Sequence, residues 1–530
     1  MNADRVQTQV SPKIGQNKFY TRQKLQSIML RLTAGCLAGL IASMLPVDRV
    51  YAYDVFGTER YVPASPASPL LDDHFCAFRE PGSPLGLQEV VERALCRNPK
   101  VRQAWADIKV KAATVGIGKS AYLPTLSGSA QTVHDATSTK VGGYPYLSSN
   151  SYSLASTESI SLSWVLYDFG DRSAALANAK ELLAASLANH EASLQDIFST
   201  VSKDYYTAQA AQGDLVTARE NEKAALETVT ATTQRVDNGV APLSDELQAQ
   251  TAYEQAVLNR TKAEGDLNSA LGTLASDIGL RLDEPITLPS VEEGVKPDEE
   301  FKRAVPELID EALRTHPSVR AAQAQLKAAE AKIAQTRAEG LPSIKLIAQA
   351  SHNDQPVTPS IGMNTLSAIT NDTSVGVQVN IPVFEGLSRT YQIRQAQAQS
   401  ELQTDVLAEA EQKVGLDVWT SYQTLQSATK NLDNSANLLD IAQKSYKALK
   451  QRYVVGVGNI IELLNGQSSL NNAGRQRVEA LTNWRMSRMH LAATLGRLGM
   501  WSLKSEKKEE KKITLTNLAK PVKMFYIPDE

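Results

Sequence analysis

Residues 374–383 alternate apolar and polar side chains: Val375, Val377, Val379, Ile381 and Val383 against Ser374, Gly376, Gln378, Asn380 and Pro382. A period of two predicts a β-strand with one apolar face. After Phe384-Glu385-Gly386 the pattern changes. An Ala-, Gln- and Leu-rich stretch without proline follows for about seventy residues and predicts a long helix. Earlier in the chain, Leu176, Leu183, Leu187, Leu194, Phe198, Val201, Tyr205, Ala208 and Leu215 fall at steps of three, four and their sums. That spacing is the seam of a coiled coil or helical bundle. Such a helix of about 66 residues is on the order of 100 Å long.

The same succession occurs twice. Ala94, Leu95, Pro99, Val101, Arg102 and Ala104 match Ala312, Leu313, Pro317, Val319, Arg320 and Ala322 at a constant spacing of 218 residues. One residue out of that register, Leu166–Arg172 (LYDFGDR) faces Val383–Arg389 (VFEGLSR), and Arg235–Val240 (RVDNGV) faces Arg452–Val457 (RYVVGV). Each copy predicts a helix, two strands, a long helix, a glycine turn and a returning helix. In the first copy these are a helix over 87–118, strands around Leu126–Ala130 and Tyr152–Trp164, and helices to 237 and over 243–280. In the second they are a helix over 306–338, strands over 343–351 and 373–383, and helices over 388–454 and 460–497. The predicted organisation is a signal peptide (1–52), an N-terminal extended segment (53–84), repeat 1 (85–284), a Pro/Glu-rich linker (285–304), repeat 2 (305–500) and a charged tail (501–530).

Charge and composition narrow the function classes. A net charge of -3 over 530 residues gives no reason to expect nucleic acid as a partner. Arg22, Lys24 and Arg31 lead into an apolar run, Leu32–Leu45, and then Val50-Tyr51-Ala52, which reads as an export signal cut near Tyr53. Cleavage before Cys36, as in a lipoprotein, is the alternative. In the exported chain Cys76 and Cys96 remain, which an oxidising compartment would bridge; two unpaired buried thiols are the other reading. The six histidines show no metal-ligand spacing, and no nucleophile elbow or phosphate loop is present. We therefore expect no metal, no cofactor and no enzymatic activity. The long helices carry charges every few residues and are not membrane spans.

The strands make a soluble bundle an incomplete account. Four alternating segments of about ten residues suit a transmembrane barrel, yet four strands cannot close one, and open edges are not tolerated in lipid. Three chains would supply twelve strands. At this point the chain resembles the TolC family of outer-membrane channels. The duplicated unit, the paired LYDFGDR and VFEGLSR segments and the RYVVGVGNIIELL tip carry the resemblance over about residues 85–500.

The resemblance implies a mixed α and β membrane protein. This is a homotrimer whose 12-stranded β-barrel in outer-membrane lipid continues as a long periplasmic α-helical barrel. It implies a periplasmic membrane-fusion adaptor and an inner-membrane ABC transporter as partners, or a proton-driven efflux pump in the alternative. It places the gate at the turns 237–247 and 454–466. Asp245 and Tyr453 match latch positions, and Tyr453 is expected to donate its hydroxyl to Asp245. Gly458 stands where the family's best-known member has an arginine, so that part of the latch is absent. Glu462 matches an acidic constriction position, and Asn465 matches a second that is neutral here. Gly239 and Gly456 end the long helices and mark the adaptor-facing turns. The segment VERALCRNP resembles the branch that exports toxins or adhesins by type I secretion. A small-molecule efflux outlet is the alternative, and a periplasmic coiled-coil scaffold is the reading from another class.

Overall fold

A computed structural model describes residues 53–68, 76, 84–282, 284–291, 305–357 and 366–496. The chain divides into two units at Gly57/Thr58, and every element named below lies in the second. The expected signal peptide with Cys36, residues 292–304 of the linker and the charged tail lie outside the described residues.

The second unit contains the duplication as two sets of elements whose helices match in length, while the strands of the first copy are longer than those of the second. Helices α1 (Leu87–Arg97) and α2 (Pro99–Ser120) precede strands β1 (Thr125–Thr139) and β2 (Ser149–Tyr167). Helices α3 (Asp171–Asp237) and α4 (Leu243–Asp277) then form a long hairpin. The second copy runs α5 (Val305–Thr315), α6 (Pro317–Ala338), β3 (Ser343–Asp354), β4 (Ile369–Asn380), α7 (Ser388–Val454) and α8 (Ile460–Thr494). The long helices α3 and α7 both have 67 residues, and their returning partners both have 35.

The single opening helix expected in each copy is instead two. Pro99 and Pro317 lack the amide hydrogen a continuous helix needs and disfavour helical geometry in the residue before them. That residue caps the new helix instead. Asn98 accepts from the Lys100 amide at 2.9 Å and His316 Nδ1 from the Ser318 amide at 3.2 Å. The strands also run longer than expected, because β1 and β2 stay paired from Thr125↔Ser163 to Thr139↔Ser149 and absorb much of the predicted loop.

The strands form one antiparallel sheet in the order β1-β2-β3-β4, so β1 and β4 each keep one open edge. One face is apolar. Leu126, Leu162, Ala348 and Val375 form one cross-strand row, and Trp164, Leu346 and Val377 form the next. Leu126, Val375 and Val377 are each more than three-fifths exposed. On the opposite face Ser127 pairs with Ser161 at 2.7 Å and Ser129 with Ser159 at 2.8 Å, and the rows continue through Gln349 and Ser351.

The buried core lies where the short helices meet the long ones, once per copy. Val90, Ala94 and Val101 pack with Phe198, Val201 and Tyr205; the equivalent Leu308, Ala312 and Val319 pack with Val418 and Leu425. Cys76 and Cys96 are disulfide-bonded, with Cα atoms 5.6 Å apart, beside the first of these cores. Ahead of the bridge the chain lies along α2 and α3. The Trp105 indole donates to the Pro63 carbonyl at 2.9 Å, and the buried His190 Nε2 meets the Pro66 carbonyl at 2.8 Å.

Candidate functional site

Two places in the fold carry special geometry: the junctions where strand becomes helix, and the turns at the far ends of the long helices. At the first, each copy spends two successive residues in left-handed backbone. These are Phe169 (φ 52°) with Gly170 (φ 99°), and Gly386 (φ 61°) with Leu387 (φ 65°). An arginine braces each junction from the first turn of the long helix. Arg172 binds Asp168 at 2.5 Å and the Val165 carbonyl at 2.8 Å; Arg389 binds Glu385 at 3.0 Å and Glu339 at 2.9 Å. Tyr122, Trp164, Tyr167 and Phe169 stand exposed around the first junction. An aromatic collar of this kind suits the edge of a hydrocarbon layer.

At the far ends, α3 and α7 stop on Gly239 (φ 71°) and Gly456 (φ 85°). A side chain with a Cβ resists that conformation, which is why glycine ends both helices. The closing hydrogen bonds are the same in each copy: Val240 N–H to the Arg235 carbonyl at 2.8 Å, and Val457 N–H to the Arg452 carbonyl at 3.0 Å. Gly458 has a steric role that the sequence did not disclose. A Cβ there would lie 2.8 Å from the Tyr453 nitrogen and 2.9 Å from the Arg452 carbonyl carbon. A side chain at this position would require the turn to shift.

The Tyr453–Asp245 hydrogen bond is not the one made within the protomer. Tyr453 is 4% exposed, and its hydroxyl lies 3.2 Å from the Thr232 hydroxyl. Asp245 sits in the first turn of α4, where its carboxylate accepts from Ser244 at 3.5 Å. The Arg235 guanidinium lies over the tyrosine ring, 4.8 Å from its centre, and the hydroxyl meets Thr232 of α3. Glu462 is exposed and pairs with Arg452 at 3.5 Å; Asn465 is exposed one turn further along α8.

Polar links continue along the seam between the two hairpins. Lys450 binds Glu227 at 3.0 Å, which lowers the Glu227 carboxyl and raises the Lys450 ammonium. Gln467 reaches Asn221 at 3.2 Å. The side chain of Thr217 lies against Gly474, and that of Val478 against Gly213. The buried Arg485 donates to Gln209 at 3.0 Å, and Gln209 in turn holds the carbonyls of Pro289 and Ser290 at 3.1 Å. Sequence reasoning assigned no role to Arg235, Thr232 or Arg485. For Arg235 a signal existed, since an arginine recurs at the same place in both repeats.

Among the described residues no group of three or more His, Cys, Asp or Glu side chains is placed to hold a metal ion. Among the same residues, no helix is long and apolar enough to cross a membrane. A duplicated helical hairpin fused to an open-edged sheet with one apolar face defines a channel-forming chain of the outer-membrane type. The residue pattern of the family described as "Outer membrane efflux protein" matches residues 90–280 and 308–497, and the chain belongs to that family.

Protein CyaE of Bordetella pertussis is 30% identical over 84% of this chain and 89% of its own length. Outer membrane protein TolC of Escherichia coli is 22% identical over 82% and 85%. The outer membrane channel CmeC of Campylobacter jejuni superposes with a TM-score of 0.68 at 17% identity, over 80% of this chain and 92% of its own. The protein is thus an outer-membrane transport channel whose helices extend into the periplasm. Channels of this family work with adaptors and inner-membrane transporters in tripartite systems, and they are typically homotrimers.

Proposed function

We propose that three copies of this chain form the passive exit duct of a type I secretion system for a protein cargo, a toxin or adhesin. An ABC transporter would supply the energy, and a periplasmic membrane-fusion adaptor would join it to the duct. The observation that carries the channel reading is the sheet. Its apolar face suits lipid and its Ser/Gln face suits an aqueous lumen, while its two open edges call for neighbouring strands. The 30% identity to protein CyaE, a type I secretion outlet, against 22% to protein TolC, favours protein export over small-molecule efflux.

The chain performs no chemistry in this scheme and needs no cofactor. Its parts act by position. Gly239, Gly456 and Gly458 shape the turns offered to the adaptor. Glu462, with the neutral Asn465 behind it, lines the constriction. Three Glu462 carboxylates in a ring favour cations over anions, and divalent cations most. Asp245 and Tyr453 belong to the closing region of the two turns. The test is deletion of the chain in its native host, followed by analysis of the culture medium. Loss of a large secreted protein, restored by the wild-type chain, is the expected result. An unchanged set of secreted proteins with raised sensitivity to small toxic compounds would instead assign the chain to efflux. In planar bilayers, Glu462→Gln should weaken cation preference and divalent block.

A further inference from the structure

Arg235 stands in the last turn of α3 and reaches across the seam into the turn of the second hairpin. Its Nη1 donates to the Tyr453 carbonyl at 2.6 Å. Its guanidinium carbon lies 4.8 Å from the centre of the Tyr453 ring, while Nε is buried without a partner. The carbonyl it grips also accepts the Gly456 amide at 3.1 Å, one of the bonds that build the left-handed turn. One arginine therefore holds both the ring and the backbone of the opposing turn. Its equivalent in the second copy, Arg452, binds Glu462 instead. The duplicated arginine has taken two jobs, one fastening the hairpins and one facing the constriction carboxylate.

The other charged fastener near the tip is more open to water. Lys450 and Glu227 are 47% and 51% exposed, so salt screens their attraction. Gln467 and Asn221 make a neutral link. We propose that Arg235, acting on the carbonyl and ring of Tyr453, is the positioning residue that holds the second helical turn against the first in the closed channel. This rests on the channel reading above. The guanidinium suits the task because a planar fork can donate along its edge and stack on its face, which an ammonium cannot do together.

The test uses the full mature chain, purified as its native oligomer and reconstituted in planar bilayers. Arg235→Gln should raise the ratio of open to closed conductance by about tenfold, the factor carried by one modest charge-assisted hydrogen bond. Arg235→Lys keeps a donor and loses the stack, so its rise should be smaller. Tyr453→Phe keeps the carbonyl and the ring that Arg235 holds and loses only the hydroxyl contact to Thr232, so its rise should be smaller than that of Arg235→Gln, as should that of Asp245→Asn. Unchanged oligomer melting in Arg235→Gln separates a gating effect from general damage. Wild-type conductance in an assembled Arg235→Gln channel would overturn the proposal. So would opening by Tyr453→Phe or Asp245→Asn as large as that of Arg235→Gln, which would return closure to the Tyr453–Asp245 pair. If Arg235→Gln does not assemble, Arg235→Lys decides: a severalfold rise supports the link and a wild-type ratio overturns it. A wild-type protein without any conductance would sink the channel reading, and this link with it.

Discussion

Single residues in this chain are held against their intrinsic preferences where two copies of one unit were joined. Asp277, at the end of α4, is the clearest case. Burial and the neighbouring Asp204 carboxylate push it up to about 6, with Lys100 opposing, and its Oδ2 is buried without a partner. A carboxylate at a helix C-terminus also faces the negative end of the helix dipole. The raised value means that the folded state binds more protons than the unfolded state between the ordinary carboxylate range and about pH 6. Stability from this pair is therefore present at low pH and is lost as pH rises through that window. Asp277→Asn should stabilise the protein at pH 8 by about 1 kcal/mol, a figure discounted for the solvent around a half-buried group, and should change little at pH 4. Chemical denaturation at the two pH values checks this; equal gains at both would remove the account from burial and the neighbouring Asp204 carboxylate. Nothing in the sequence paired Asp204 with Asp277, because they meet only through the packing of α3 against α4.

Elements were more legible than contacts. The heptad-like pattern located the long helices to within a few residues, and the period-two pattern found all four strands but stopped the first one well short of its end at Thr139. The split of each opening helix at Asn98-Pro99 and His316-Pro317 was also written in the sequence, as a cap residue followed by proline. The crowding at Gly458 was not, since it depends on how closely the turn folds back over Tyr453. Gly458→Ala should therefore do more than remove flexibility. Its methyl would meet backbone atoms inside 3 Å, an overpacking worth about 1–3 kcal/mol. Trypsin should then cut at Arg452 in the folded oligomer faster than in wild type, and an unchanged digestion rate would count against a crowded turn.

The N-terminal strap gives a second prediction at the scale of elements. Burial lowers the pKa of His190, opposed by its bond to Pro66. The unfolded state then binds more protons below about pH 6.5, so stability is present above that value and is lost as pH falls through the folded one. Hydrogen exchange in residues 59–67 should quicken between pH 7.5 and pH 5 after correction for the intrinsic rate. His190→Gln, which can still donate to Pro66, should abolish that acceleration. The Cys76–Cys96 bridge would be unaffected by such loosening. Over its separation of 20 residues it contributes roughly 3 kcal/mol by limiting the unfolded chain.

For the whole molecule, the protomer itself poses the question of assembly. The open edges of β1 and β4 present unpaired backbone groups along Thr125–Thr139 and Ile369–Asn380. In hydrocarbon each unpaired group costs several kilocalories per mole, so an isolated four-stranded sheet cannot remain in lipid. The sequence showed the strand count and the lipid-facing alternation. It could not show which edges remain open, because strand order is a property of the folded sheet. With the order β1-β2-β3-β4, closure requires β1 of one chain to pair antiparallel with β4 of the next, and three chains give a twelve-stranded barrel. Single cysteines at Ser129 and Ser374, on the polar face of the two edges and away from lipid, test this geometry. Spin labels on the two sites should report a distance between chains far shorter than the distance across one sheet, in trimers that come apart only on heating. Light scattering of the detergent-solubilised protein should give three chains per particle. A stable monomer in lipid, or labels at the two edges that never approach one another, would require the edges to be covered in some other way.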